Sequence, residues 1–297
     1  MRKILIGLSV VLGLIVTFSA CDSEQPTYTG PNYIVFSDTL SVLPVQDNEE
    51  YFDVPVAATQ PCDYDRTLGV EILDKRSNAI EGRHYTLESN TVVIKAGERV
   101  ANVKVRGIYD NIEVSDSIGF VLRLVTEEST HWKLYGTETK VLLRKTCPFD
   151  IHAFEGWAVL TSTYLMNYTN DDKRLIRTEI DPKNENTVIL KNYFYDGYDV
   201  KVKFKTNDRL NPLLKTDDQV FAATADAFGT IYGDGYLNLY QPSAYVSYYS
   251  TCEKFMVQYM TLYVPGMAAG SNVVGTFINI VEWISDDEAK KLQDQGY

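Results

Sequence analysis

The sequence predicts an all-β chain: an immunoglobulin-like sandwich, then a Tyr-rich antiparallel β-barrel or sandwich, then one short C-terminal helix. Three observations carry this. Aromatic residues make up 12% of the chain, led by 21 Tyr, and aromatic side chains pack well on a pleated surface. Short runs of β-branched and aromatic residues recur throughout, several of them alternating apolar with polar as one-face burial demands. Between the runs stand Asp-Asn, Ser-Asn, Ala-Gly and Asp-Gly pairs, the chemistry of tight turns.

With 297 residues the chain has room for two domains, each with a core of its own. Hydrophobic residues at 45% and charged ones at 23% are values of a folded protein, not of a disordered one. The formal net charge is −12, which argues against a nucleic-acid partner, whose phosphates need clustered Lys and Arg.

The first element is an address. Arg2 and Lys3 precede an apolar run from Ile4 to Phe18, too short to span a bilayer and of the kind found in signal peptides, so residues 1–20 read as a signal segment. Phe18-Ser19-Ala20-Cys21 resembles the bacterial lipobox, with Phe18 in place of the usual Leu. The resemblance implies cleavage before Cys21, lipidation of its thiol and a membrane partner through the anchor. Residues 21–32 form an acidic, Pro- and Gly-containing tether. Acids directly behind the lipidated Cys resemble the export signal of Bacteroidota surface lipoproteins, which implies an outer-membrane, surface-exposed location.

Residues 33–146 read as the sandwich. The expected strands are 33–37, 51–57, 67–73, 91–95, 101–106, 118–124 and 140–143, parted by Asp47-Asn48, Ser77-Asn78, Ser89-Asn90, Ala96-Gly97 and Asp110-Asn111. The stretch Gly82-Arg83-His84-Tyr85, then Thr91 to Glu98 ending in Ala96-Gly97-Glu98, then Val103-Lys104-Val105, resembles the Calx-beta repeat. With Asp63-Tyr64-Asp65-Arg66 ahead of it, it is most similar to the Calx-beta-like domain of Bacteroidota surface lipoproteins encoded beside glycan-uptake systems.

Calx-beta domains hold calcium with carboxylates at strand ends, because this hard cation takes six to eight oxygens. The resemblance therefore implies Glu81, Asp110, Glu113 and Asp116 as candidate calcium ligands. Two departures thin that set: His84 stands where Asp is usual, and an Asp-Asp pair is reduced to Tyr109-Asp110. Weak or absent calcium binding is expected, and no other cofactor.

Pro148 marks a linker, and residues 149–297, which hold 14 of the 21 Tyr, read as the second domain. Expected strands are 157–168, 174–180, 187–194, 200–204, 219–223, 230–240, 244–249, 254–263 and 273–283. Val200 to Lys205 alternates into one apolar and one basic face. Phe154-Glu155-Gly156-Trp157 is similar to the Gly-x-Trp opening of calycin or lipocalin-like barrels. Ser285 with Glu288 three residues later is a capping-box spacing and predicts the terminal helix.

Beyond Cys21, three cysteines remain, an odd number. Free thiols are the favoured reading; were a bridge to form, it would be Cys147–Cys252, both in the second half. The chain holds no Gly-x-Ser-x-Gly elbow, P-loop or dinucleotide fingerprint, and its three His are scattered, so no enzyme activity is expected. Tyr232, Tyr236, Tyr240, Tyr245, Tyr248 and Tyr249 crowd one stretch. A Tyr ring with its hydroxyl suits stacking on sugars or docking on proteins; rings lining the barrel core, with hydroxyls at its rim, are the favoured alternative. The function expected is a non-catalytic surface lipoprotein that captures a glycan or other nutrient, with outer-membrane uptake proteins as further partners. The alternative is an adhesion or spacer protein.

Overall fold

The computed structural model describes residues 28–169, 171–268 and 270–297. The signal segment, Cys21 and the tether up to residue 27 lie outside the described residues. Among those described, no helix is long and apolar enough to cross a membrane.

The first half holds β1 (Ile34–Phe36), β2 (Leu40–Val45), β3 (Phe52–Ala58), β4 (Arg66–Ile72), β5 (Tyr85–Leu87), β6 (Thr91–Ile94), β7 (Val100–Gly107), β8 (Ile118–Val125) and β9 (Glu138–Lys145). They form two facing sheets, β1-β3-β7-β5 and β2-β9-β8-β4-β6. Alternate residues such as Val54, Val56, Val103, Val105, Leu122 and Leu143 point into one shared core. Tyr85 of the Gly82–Tyr85 motif is fully buried there, stacked on Phe120 with centroids 3.8 Å apart. That motif is therefore a core plug in this chain. His84 Nδ1 accepts from the Ile80 amide (2.9 Å) and closes the turn ahead of it.

The second half holds β10 (Gly156–Ser162), α1 (Thr163–Tyr168), β11 (Lys173–Ile180), β12 (Thr187–Lys191), β13 (Val200–Lys205), β14 (Leu213–Lys215), β15 (Gln219–Ala223), α2 (Thr224–Phe228), β16 (Tyr236–Tyr240), β17 (Tyr248–Ser250), β18 (Phe255–Tyr263), β19 (Val273–Trp283) and α3 (Asp286–Asp294). Eight strands close into a barrel in the order β10-β11-β12-β13-β14-β17-β18-β19, because β19 pairs with both β10 and β18. The hairpin β15-β16 joins the far end of β18 through Asn238–Tyr240. The residue parity of β13 is perfect: Val200, Val202 and Phe204 are buried, Lys201, Lys203 and Lys205 exposed. Helix α3 opens with the capping box, Ser285 Oγ accepting from the Glu288 amide.

Three expectations are corrected. The run 157–168 is not one strand, because Ser162 Oγ accepts from the Tyr164 amide and caps α1. The run 230–240 is a turn until residue 236. And Cys147 is bonded to Cys252, in place of the favoured free thiols; their Cα atoms are 5.2 Å apart. Cys62 is the free cysteine of the described residues. The bridge ties the linker after β9 to the turn between β17 and β18.

Candidate functional site

The six Tyr do not share one environment. On β16 the alternation leaves Tyr236 and Tyr240 outside while Leu237 and Leu239 fill the core; Tyr232 lies exposed in the turn before. On β17, Tyr248 points out and Tyr249 points in. Tyr249 is only 4% exposed, packs edge-on against Phe154 and Phe204, and its hydroxyl donates to the Lys205 carbonyl at 3.2 Å. Burial pushes its hydroxyl up to about 12. As a candidate ligand residue Tyr249 is therefore corrected: strand period places it in the core.

Three of the exposed rings, Tyr240, Tyr245 and Tyr248, rest on partners from β18 on the outer face of the barrel, while Tyr232 meets Phe228 of α2. Tyr245 stacks on Tyr259 with centroids 4.9 Å apart and planes 13° apart; Tyr240 meets Tyr263 edge-on at 5.7 Å, and Tyr248 meets Phe255 at 6.2 Å. Tyr263 in turn donates to both oxygens of Asp218 (2.9 and 3.1 Å). A ring supported from behind keeps its free face in place at small entropic cost, which is what a stacking platform needs.

Two hollows adjoin this wall. A cleft of about 590 Å³ opens between the halves, lined by Arg144, the Cys147–Cys252 bridge, Asp208, Arg209, Tyr248 and Glu253. Arg209 pairs with Glu50 of the first half at 3.3 Å, and the Arg144 guanidinium donates to the Leu210 carbonyl at 3.4 Å. A groove of about 330 Å³ is lined by Tyr245, Lys205, Lys215, Gln241 and Ser243. Both volumes are of ligand size, between about 300 and 1,000 Å³. Of the charged residues here the sequence signalled only Lys205, through the alternation of β13; the others come from strands and loops distant in the chain.

The barrel interior is filled. Phe154, Tyr193, Phe204, Met256 and Met260 are fully or almost fully buried in it, around a polar chain. In that chain Ser162 Oγ donates to Asn279 Oδ1 (2.6 Å), and Gln258 Oε1 accepts from Tyr193 (2.8 Å). Gln258 Nε2 completes it by donating to Thr216 (3.0 Å). Each of these polar groups is satisfied, so the chain serves folding. Trp157, the calycin-like Trp, faces outward under Arg177 at 4.7 Å; Trp283 occupies the barrel end, donating to Thr178 Oγ1 at 2.8 Å.

The four candidate calcium ligands do not converge. Asp116 accepts from the Glu113 amide (2.8 Å), Asp110 sits in a short 3₁₀ turn, and the backbone of Glu81 makes a β-bridge to that of Tyr85. Among the described residues no group of three or more His, Cys, Asp or Glu is placed to hold a metal ion. The residues present do not fit the calcium cluster that the Calx-beta resemblance implies.

A second carboxylate does stand out. Asp181, its side chain buried, accepts from Lys201 Nζ (2.8 Å), Asn184 Nδ2 (2.8 Å) and the Lys183 amide (2.9 Å). The Lys201 bond above all holds its carboxyl far below the usual carboxylate range. It anchors the loop after β11.

No curated protein matches the chain. Among solved structures, a Bacteroides ovatus protein of unknown function is 11% identical, covering 84% of this chain and 89% of its own, with a TM-score of 0.35. An apo Calx CBD1 domain is 14% identical over 39% of this chain and 98% of its own, TM-score 0.32. An auxiliary nutrient binding protein from Bacteroides thetaiotaomicron is 15% identical over 82% and 91%, TM-score 0.30. One family model matches residues 134–295, which take in β9, both bridged cysteines, the whole barrel and the capping-box helix, and the chain accordingly belongs to the family described as Domain of unknown function (DUF4984).

Proposed function

We propose that the protein is a non-catalytic binding protein, anchored by lipid at Cys21 to the outer face of the outer membrane, that captures a glycan on the outer wall of its barrel. The observation that carries this is Tyr245: half exposed (50%), held flat on Tyr259, and set in a groove with hydroxyl, amide and ammonium donors. Aromatic faces match the apolar C–H faces of sugar rings, and the neighbouring polar groups match their hydroxyls. The Cys147–Cys252 bridge supports an exported location, since such bonds persist in oxidising compartments.

Each contact of this kind is small, so a Kd between about 1 μM and 1 mM is expected. The test is calorimetric titration of the full chain with the glycans that score on an array. Tyr245→Ala should abolish the heat of binding while leaving the melting temperature within a degree or two. Unchanged binding in Tyr245→Ala would remove the proposal's support.

A further inference from the structure

We infer that the glycan taken in the Tyr245 groove is an anionic one, bearing carboxylate or sulfate groups that Lys205 and Lys203 receive; this rests on the glycan reading above. The chain is acidic overall, yet the outer face of β13 presents Lys201, Lys203 and Lys205 in succession. Register then places Lys203 directly opposite Lys215 of β14. Like charges opposite one another on an antiparallel pair destabilise it, so a sheet that keeps such a pair is poised for an anion between or beside them.

Local acids neutralise only part of this patch. Lys201 is matched by Asp181 and Lys215 by Asp217, at 2.8 and 2.7 Å. Among the described residues, neither Lys203 nor Lys205 has a carboxylate within 4.0 Å. Asp218, which lines the hollow with Lys203, accepts from the Tyr263 hydroxyl and keeps its negative charge there. Two ammonium groups without a direct carboxylate partner are left on neighbouring outward positions of one strand.

Their placement relative to the aromatic platform gives the ligand its class. Lys205 and Lys215 wall the same groove as Tyr245. Lys215 also walls the next hollow, of about 340 Å³, together with Lys201, Lys203 and the acids Asp217 and Asp218. A chain of sugars lying on Tyr245 would thus run from Lys205 over Lys215 to Lys203, with its ring faces on the aromatic side and its substituents over the lysines. A neutral sugar leaves both ammonium groups without a partner; a uronic acid or a sulfated sugar gives each a charge-assisted hydrogen bond.

The experiment compares three oligosaccharides of equal length on the full chain: an oligogalacturonide, a sulfated chondroitin fragment and a neutral glucan. At low salt one or both anionic ligands should bind about tenfold or more tighter than the neutral one, the scale of one charged hydrogen bond. Which of the two wins separates carboxylate from sulfate recognition. The double variant Lys203→Gln/Lys205→Gln should lose that advantage and bind the anionic and neutral ligands alike. Its melting temperature should hold or rise, because the repulsion across β13 and β14 is gone. Tyr245→Ala should weaken all three ligands. Equal wild-type affinity for neutral and anionic ligands, or an unchanged preference in the double lysine variant, would overturn the anionic assignment and leave glycan capture standing. A single-stranded oligonucleotide binding as well as the anionic glycans would overturn it too, showing attraction to any polyanion. Absence of binding to all three overturns the glycan reading itself.

Discussion

Tyr248 and Tyr249 are neighbours in the chain and face opposite sides of the barrel wall, the first over the cleft between the halves, the second under Phe154 and Phe204. Truncating them should therefore have unlike effects. Tyr249→Ala is expected to cost about 3–5 kcal/mol, by analogy with buried Phe, and Tyr248→Ala less than about 0.5 kcal/mol. Urea denaturation of the two variants checks this; equal losses would contradict the assignment of faces.

Reduction of Cys147–Cys252 should loosen the barrel. The bridge spans a sequence separation of 105, and losing a native disulfide of this kind typically costs about 2–5 kcal/mol. Paired Cys147→Ser and Cys252→Ser replacement should lower the denaturant midpoint, and reductant should do the same to the wild type but nothing further to the variant.

Acid should act through Asp181. Its carboxyl is held below its unfolded value, so its contribution is whole at neutral pH and is lost as pH falls through and below the ordinary Asp range near 3.8. Stability measured from pH 7 down to pH 3 should fall less steeply in Asp181→Asn than in the wild type, though the variant starts lower. Parallel curves would count against this account.

Calcium should matter little. Glu81, Asp110, Glu113 and Asp116 do not meet, and a ligand stabilises only in proportion to ln(1 + [L]/Kd). The melting temperature in about 1 mM calcium should match that in chelator; a rise of several degrees would speak for a site made by rearrangement of these loops.

Cys21→Ala should release the chain from membranes or leave its signal uncut. A processed Cys21→Ala protein that still sediments with membranes would refute lipid anchoring.

Which parts of this were readable from sequence follows from the range of the forces involved. Val200 to Lys205 announces its own faces, because alternation is a local pattern and the strand keeps it. The capping box at Ser285 is equally local. Strand β2 is not among the expected strands because its partner is β9, paired in parallel about a hundred residues on; as an edge strand it can spare the ladder donor that Pro44 lacks. The Tyr cluster was visible as composition but not as geometry. Whether Tyr248 or Tyr249 faces out depends on the register β17 adopts against Met256 and Val257, which no local rule supplies. Arg144, Arg209 and Glu253 reach one cleft only through the packing of the two halves, and single-sequence patterns hold no trace of that.

The cross-link also decides how the molecule bears tension. Suppose the first half is tethered and a polymer held near Tyr248 is tugged by flow. The pull leaves the sandwich at Cys147 and crosses sulfur to Cys252, only a few residues past Tyr248, bypassing the long peptide path through β10 to β16. Those strands stand off the line of force and are spared unzipping. With the sulfurs reduced, the same tug would enter behind Pro148 and load β10 where it pairs with β11 and β19, so a single covalent bond keeps the pull off a strand that would otherwise be peeled.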